Sequence, residues 1–201
     1  MVVQPKRLDW AGNVNWLLKQ QLKEFFCYRQ HDDTTAPEFF EVLLEAADKD
    51  PKAASIYCDC QYSGGSNRLE IVPSIKGDTL YRMVQYIDRV LVPPMPIRGL
   101  IRSAALDQAG PLRIDGLRSV SEVCVWMAKL LHWGSFRRIA KPLYYKLDHA
   151  KASQATTKGR PKIASERYGQ LCSRAYSRPQ CRSAVHVKNV CFFSIQLSSE
   201  L

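Results

Sequence analysis

The stretch Phe25-Phe26-Cys27-Tyr28-Arg29-Gln30-His31-Asp32-Asp33 sets the frame for the fold. Four apolar residues, read as a short buried strand, run into a polar turn that ends in two adjacent carboxylates. A helix follows, with Thr34 or Thr35 near its cap, Pro37 in its first turn, and Phe39, Phe40, Leu43, Leu44 and Ala47 inside. Carboxylates at the carboxyl end of a parallel strand lie on the ligand-binding edge of an open α/β sheet. Two acids there suit Mg²⁺ or Mn²⁺, hard cations that take oxygen ligands together with substrate phosphates. The same residues serve equally well to cap the helix that follows, and spacing alone leaves both readings open.

Outward from this point, strand and helix alternate. Residues 13–24 read as a helix capped by Asn13, with Val14, Leu17, Leu18 and Leu22 at helical spacing. Downstream, Ala54 to Cys60 reads as a strand, Ser63 to Asn67 as a turn, and Leu69 to Val72 as a short strand. Asp78 starts a helix whose apolar positions are Leu80, Met83, Val84, Ile87, Val90 and Leu91, broken by Pro93-Pro94-Met95-Pro96. Ile97 to Ile101 is extended, a short helix runs from Ser103 to Gly110, and a longer one from Ser119 to His132 buries Val123, Trp126, Met127, Leu130 and Leu131. Ser135 to Ile139 and Leu143 to Lys146 read as closing strands. The pattern predicts an α/β domain over residues 1–150, with a mainly parallel sheet flanked by helices. Residues 151–201 are rich in Ser, Thr, Arg, Gln and Gly and predict a poorly ordered basic tail, strand-like only from Val185 to Leu197.

Composition narrows the classes. The chain has 201 residues, 46% of them hydrophobic, enough for one domain with a real core. No leader-like apolar region opens it, and no stretch approaches the roughly 18 apolar residues of a membrane span, which predicts a soluble cytoplasmic protein. The net charge is +10. Residues 151–201 hold nine Lys or Arg against two Asp or Glu, a net +7, which leaves +3 for the first 150 residues. A basic tail on a nearly balanced domain is weaker evidence for nucleic acid than a basic stripe interleaved with aromatics, and it leaves nucleic-acid binding through residues 151–201 as the least favoured reading. Seven cysteines form no framework. Cys58 and Cys60 share one face of a strand, and without a second pair at zinc-site spacing they read as buried free thiols.

Two further spots carry chemistry. Ser121-Glu122 opens the helix that holds Trp126; Glu122 either complements the helix dipole or acts as a general base. Pro142 to His149 combines aromatic and basic groups after a strand, where Tyr144 and Tyr145 serve packing or His149 serves a site.

Taken in order, these segments resemble the family 2-type glycosyltransferases of the GT-A fold. Trp10 to Leu18 is similar to the family's Gly-x-x-x-Asn helix, and Phe25 to Tyr28 with His31-Asp32-Asp33 to its strand and acidic turn. Pro51 to Asp59 resembles the strand after the next helix, and Arg98 to Pro111 the acceptor-side "RR-x-x-L-x-x-x-G" stretch. Ser121-Glu122 with Trp126 to Leu130 stands where the family has its "ED" pair and the helix after it. Ile139 to His149 resembles the closing "P-x-P-L-Y-Y-Y-R-x-H" segment. Six segments in family order span residues 7–150.

The resemblance implies a nucleotide-sugar donor, an acceptor hydroxyl on a glycan or similar molecule, and Mg²⁺ or Mn²⁺ held mainly by Asp32 with Asp33 assisting. It also implies Glu122 as the base of an inverting displacement, and Asn15 and His149 on the donor side. It permits loose attachment to a membrane surface. Two positions depart from the pattern: Gln30 replaces the usual first aspartate, and Glu122 the usual Asp. Nothing before Lys6 matches the family's opening "P-x-Y-N" strand and loop. The expectation is an incomplete GT-A (Rossmann-like) domain, either active or a silent remnant that self-associates through exposed core.

Overall fold

The computed structural model describes residues 8–21, 23–88, 95–113, 119–148 and 190–195. In chain order the elements are α1 (Trp10–Leu18), β1 (Phe25–Gln30), β2 (Thr34–Thr35), α2 (Phe39–Asp48), β3 (Ala53–Gly64), β4 (Leu69–Glu70) and α3 (Thr79–Asp88). A 3₁₀ turn (Met95–Arg98) follows, then β5 (Leu100–Arg102), α4 (Ser103–Ala109), α5 (Ser119–Trp133), β6 (Ser135–Asp148) and β7 (Val190–Ile195).

The strands form one mixed sheet in the order β2-β6-β3-β5-β1-β7, with β4 hydrogen-bonded to β3. The expected mainly parallel sheet is corrected here. β3 and β6 pair parallel, as do β1 and β7, but β5 lies antiparallel to both β1 and β3, and β2 and β4 are antiparallel to their neighbours. Alternation of strands and helices reveals spacing, not direction. The chain re-enters the sheet through the 3₁₀ turn and runs against its neighbours. Gly99 makes that entry possible, because a Cβ there would collide with the carbonyl oxygen of Ile56 on β3.

Both faces of the central strands are covered. β1 is buried at every residue from Phe25 to Tyr28, and β3 from Ala53 to Cys60, with no alternation of exposed side chains. α2 packs on β3 and β6 through Phe39, Leu43, Ala46 and Ala47, while α5 packs on β3 with α3 and α4 beside it. Val123, Trp126, Met127, Leu130 and Leu131 form the buried face of α5, as their spacing predicts. Each large side chain so buried contributes about 1.5–3 kcal/mol. Asp59 is tolerated inside β3 because the Arg138 guanidinium on β6 donates to both its oxygens, at 2.5 and 2.7 Å. Cys27, Cys58 and Cys60 are buried free thiols, as expected.

Several local expectations shift. α1 starts at Trp10, capped by Asp9, whose carboxylate accepts the Gly12 N–H at 2.7 Å; Asn13 lies inside the helix and its amide donates to the Leu8 carbonyl. Thr34 and Thr35 pair with Tyr145 and Tyr144 as β2 instead of capping α2. The two expected closing strands are one strand, β6. Its register against β3 breaks around Pro142, which has no N–H to donate. β7 falls within the segment expected to be strand-like and lies beside β1; residues 151–189 of the expected tail are outside the described residues.

α3 departs furthest from its sequence pattern. Asp78 caps it as expected, accepting the Tyr81 N–H at 2.8 Å. Its apolar residues Leu80, Val84 and Ile87 nevertheless face outward, while Arg82 is buried. The Arg82 guanidinium donates to the carbonyls of Leu131 (2.8 Å) and His132 (3.1 Å) in the last turn of α5, and to that of Gly77 (2.6 Å). A cation that satisfies the open carbonyls of a helix end outweighs the apolar stripe in setting how α3 rolls. Among the described residues, no helix is long and apolar enough to cross a membrane.

Candidate functional site

The polar turn after β1 lies against β6 because β2, immediately after it, pairs with Tyr144 and Tyr145. That pairing brings Tyr144 and Lys146 onto Asp33, and the 3₁₀ turn beside β1 and β3 brings Arg98. The Tyr144 hydroxyl donates to its Oδ2 at 2.5 Å, the Arg98 guanidinium donates to the same oxygen at 2.8 Å, and the Lys146 ammonium stands 3.6 Å from Oδ1. Lys146 also donates to Gln30 Oε1 at 2.9 Å, so the residue standing where an aspartate was expected serves as an uncharged acceptor. The Asp33 side chain is fully buried, and its Oδ1 has no hydrogen-bond donor.

The surroundings complete a buried polar cluster. The Arg98 guanidinium lies 5.7 Å from the centre of the Tyr144 ring. Burial, with the Asp33 carboxylate adding to it against the pull of Arg98, holds the Tyr144 hydroxyl well above the usual tyrosine range, so it stays a proton donor. Cys60 is buried beside the cluster, and burial pushes its thiol up to about 12 against the pull of Arg98. Next to it, Glu70 on β4 is 7% exposed and stands 3.6 Å from Arg68, which stacks over Tyr62 at 4.0 Å.

The five sequence-predicted site residues fare differently. Asp32 and Asp33 share the turn at the carboxyl end of β1; Asp32 is half-buried and Asp33 buried. Asn15 is tied elsewhere: its amide donates to the Leu112 carbonyl and accepts the Leu112 N–H, both at 2.8 Å, which pins α1 to the segment after α4. Glu122 is 8% exposed in the first turn of α5 and is not among the groups that touch Asp33. His149 lies outside the described residues. Arg98, Tyr144 and Lys146 escaped sequence reasoning as partners of Asp33. Arg98 and Tyr144 lie 65 and 111 residues from it, and no local signal links such positions.

The cluster can hold charge in place. Asp33 suits a divalent cation poorly, because one oxygen already accepts two donors and both neighbouring cations, Arg98 and Lys146, would repel a metal ion. Among the described residues, no group of three or more His, Cys, Asp or Glu is placed to hold a metal ion. A separate apolar recess lies between Trp10, Val14, Phe26, Tyr28, Ile97 and Trp126; within it the Trp10 indole N–H donates to the Tyr28 hydroxyl at 2.9 Å. Compared with known proteins, the chain matches no family model and no curated protein.

Proposed function

We propose that this chain is a glycosyltransferase-type domain of GT-A kind, which takes a sugar from a nucleotide-sugar donor and passes it to an acceptor hydroxyl with inversion. One observation supports this reading above the others. Three segments that resemble the family separately (the acidic turn, the acceptor-side stretch and the closing segment) meet on one carboxylate, through Asp33, Arg98 and Tyr144.

In this reading the donor diphosphate lies at the carboxyl-end edge of the sheet. Arg98 and Lys146 present positive charge to it, and Asp33 holds both side chains in position. Asp32 would hold Mg²⁺ or Mn²⁺ together with phosphate oxygens and water; the ion supplies charge neutralisation to the departing nucleoside diphosphate. Glu122 removes the acceptor proton as that oxygen bonds to the sugar carbon and the carbon–phosphate oxygen bond breaks. The test is calorimetric titration with a panel of nucleotide sugars in Mn²⁺, followed by measurement of nucleoside diphosphate release. Expected are saturable binding and release, both lost in Asp32→Asn, with release alone lost in Glu122→Gln. No binding by any donor would overturn the proposal.

A second reading, a catalytically silent relative on the same scaffold, is favoured by the internal use of Asp33 and Asn15. It predicts no nucleotide release and binding of at most a partner or part of the donor.

A further inference from the structure

Glu70 is a buried carboxylate that the proposed reaction leaves unused. It stands on β4 opposite Cys60 of β3, and Cys60 stands opposite Tyr144 of β6, so the three side chains form one row on a single face of the sheet. Tyr62 and Lys146, also opposite each other, form the next row on that face. β1 and β3 both run against β5 and so run the same way, which puts this end of the face at the edge that holds the acidic turn. Cys60, at the centre, lies within electrostatic reach of Arg98, Glu70, Asp33 and Lys146. Glu70 therefore belongs to the same polar cluster as Asp33, on the opposite side of β3 from β6.

The fold returns Glu70 little for this burial. Asp33 accepts hydrogen bonds from Tyr144 and Arg98, whereas Glu70 Oε2 is buried and, among the described residues, has no donor. The cation paired with its other oxygen, Arg68, stands 3.6 Å away with half of its side chain in solvent. A buried carboxylate oxygen without a donor costs stability, and an uncharged side chain of the same shape would lessen that cost. A carboxylate kept there needs a partner from outside the described chain.

The neighbouring charges select that partner. Asp33 and Glu70 stand among Arg98, Lys146 and Arg68, so the cluster offers a cationic ligand no net attraction. A hydroxyl fits, because it donates to a carboxylate oxygen and accepts from a cation beside it. We propose, resting on the transferase reading above, that Glu70 reads a hydroxyl of the transferred sugar, with Oε2 accepting its hydrogen bond. Arg68 lies over the Tyr62 ring at 4.0 Å and, half exposed, moves aside to admit the sugar. Glu70 thereby sets specificity and takes no part in bond making.

The test is calorimetric titration of the full chain in Mn²⁺ with nucleotide sugars and with donors that each lack one sugar hydroxyl, for the wild type and Glu70→Gln. Glu70→Gln should bind the parent donor about tenfold more weakly, because a hydrogen bond to a charged acceptor becomes one to a neutral acceptor. One deoxy donor should show a similar loss with the wild type and no further loss with Glu70→Gln. The urea midpoint of Glu70→Gln should equal or exceed that of the wild type, since the change removes a poorly compensated buried charge. A purely structural Glu70 would give the reverse, a lower midpoint with affinity intact, and that result would overturn the proposal. So would a further loss in Glu70→Gln with every deoxy donor. If Glu70→Gln fails to fold, Glu70→Asp keeps the charge, withdraws it from the hydroxyl and should show the same loss of affinity. Failure of the wild type to bind any donor would instead remove the transferase reading, and this proposal with it.

Discussion

Replacing Asp33 with Asn removes one charge and almost no volume, and it separates a positioning role from a metal-binding one. In the native chain the Arg98 guanidinium, 13% exposed, is balanced by a fully buried Asp33 carboxylate at 2.8 Å. Breaking a buried pair by removing one partner costs about 3–5 kcal/mol. Here the figure falls toward the lower end, about 3 kcal/mol, because the edge of Arg98 reaches solvent and Tyr144 can still donate to the amide oxygen of Asn. For a chain of this size that is a drop of about 6–12 °C in thermal midpoint. Removing both charges, in Asp33→Asn with Arg98→Met, should cost less than the sum of the two single changes by about 1–3 kcal/mol. Urea denaturation of the four proteins, with and without Mn²⁺, measures this. The Asp33→Asn loss should be the same in both conditions if Asp33 positions side chains and does not bind metal. A single variant within about 0.5 kcal/mol of wild type, or strictly additive costs, would refute the reasoning.

Two other outcomes follow from the same structure. Asn15→Ala should lose about 1–2 kcal/mol, because it leaves the Leu112 N–H and carbonyl without their partner, while any donor affinity stays unchanged; a fall in affinity with stability intact would return Asn15 to the ligand. Burial pushes the thiols of Cys27, Cys58 and Cys60 from an ordinary 9.0 up to about 12. Between these values the unfolded chain ionises and the folded chain does not, so stability is greatest below about pH 9. It should fall above that pH by up to about 1.4 kcal/mol per thiol per pH unit. Urea midpoints across this range check the slope, and a flat profile would show that the three thiols are accessible.

The strand from Phe25 and the helix over Phe39–Asp48 were legible from local pattern, because an apolar run and an amphipathic helix need only neighbours a few positions apart; the pairing of Thr34 and Thr35 with β6 was not. The buried face of α5 and the Asp78 cap of α3 were legible for the same reason. Strand direction was not, and β5 runs against β1 and β3 because of how the chain re-enters the sheet past Gly99. Nor was the roll of α3, whose apolar residues Leu80, Val84 and Ile87 face outward while the carbonyls at the end of α5 hold Arg82. Asp33 belongs to both accounts. Its place at a strand tip came from the order of residues, whereas its pairing with Arg98 and Tyr144 depended on sheet register. Periodicity reports which residues can share a face; only the packed structure decides which charges must meet, because unpaired buried charge is too costly to leave where local pattern alone would put it.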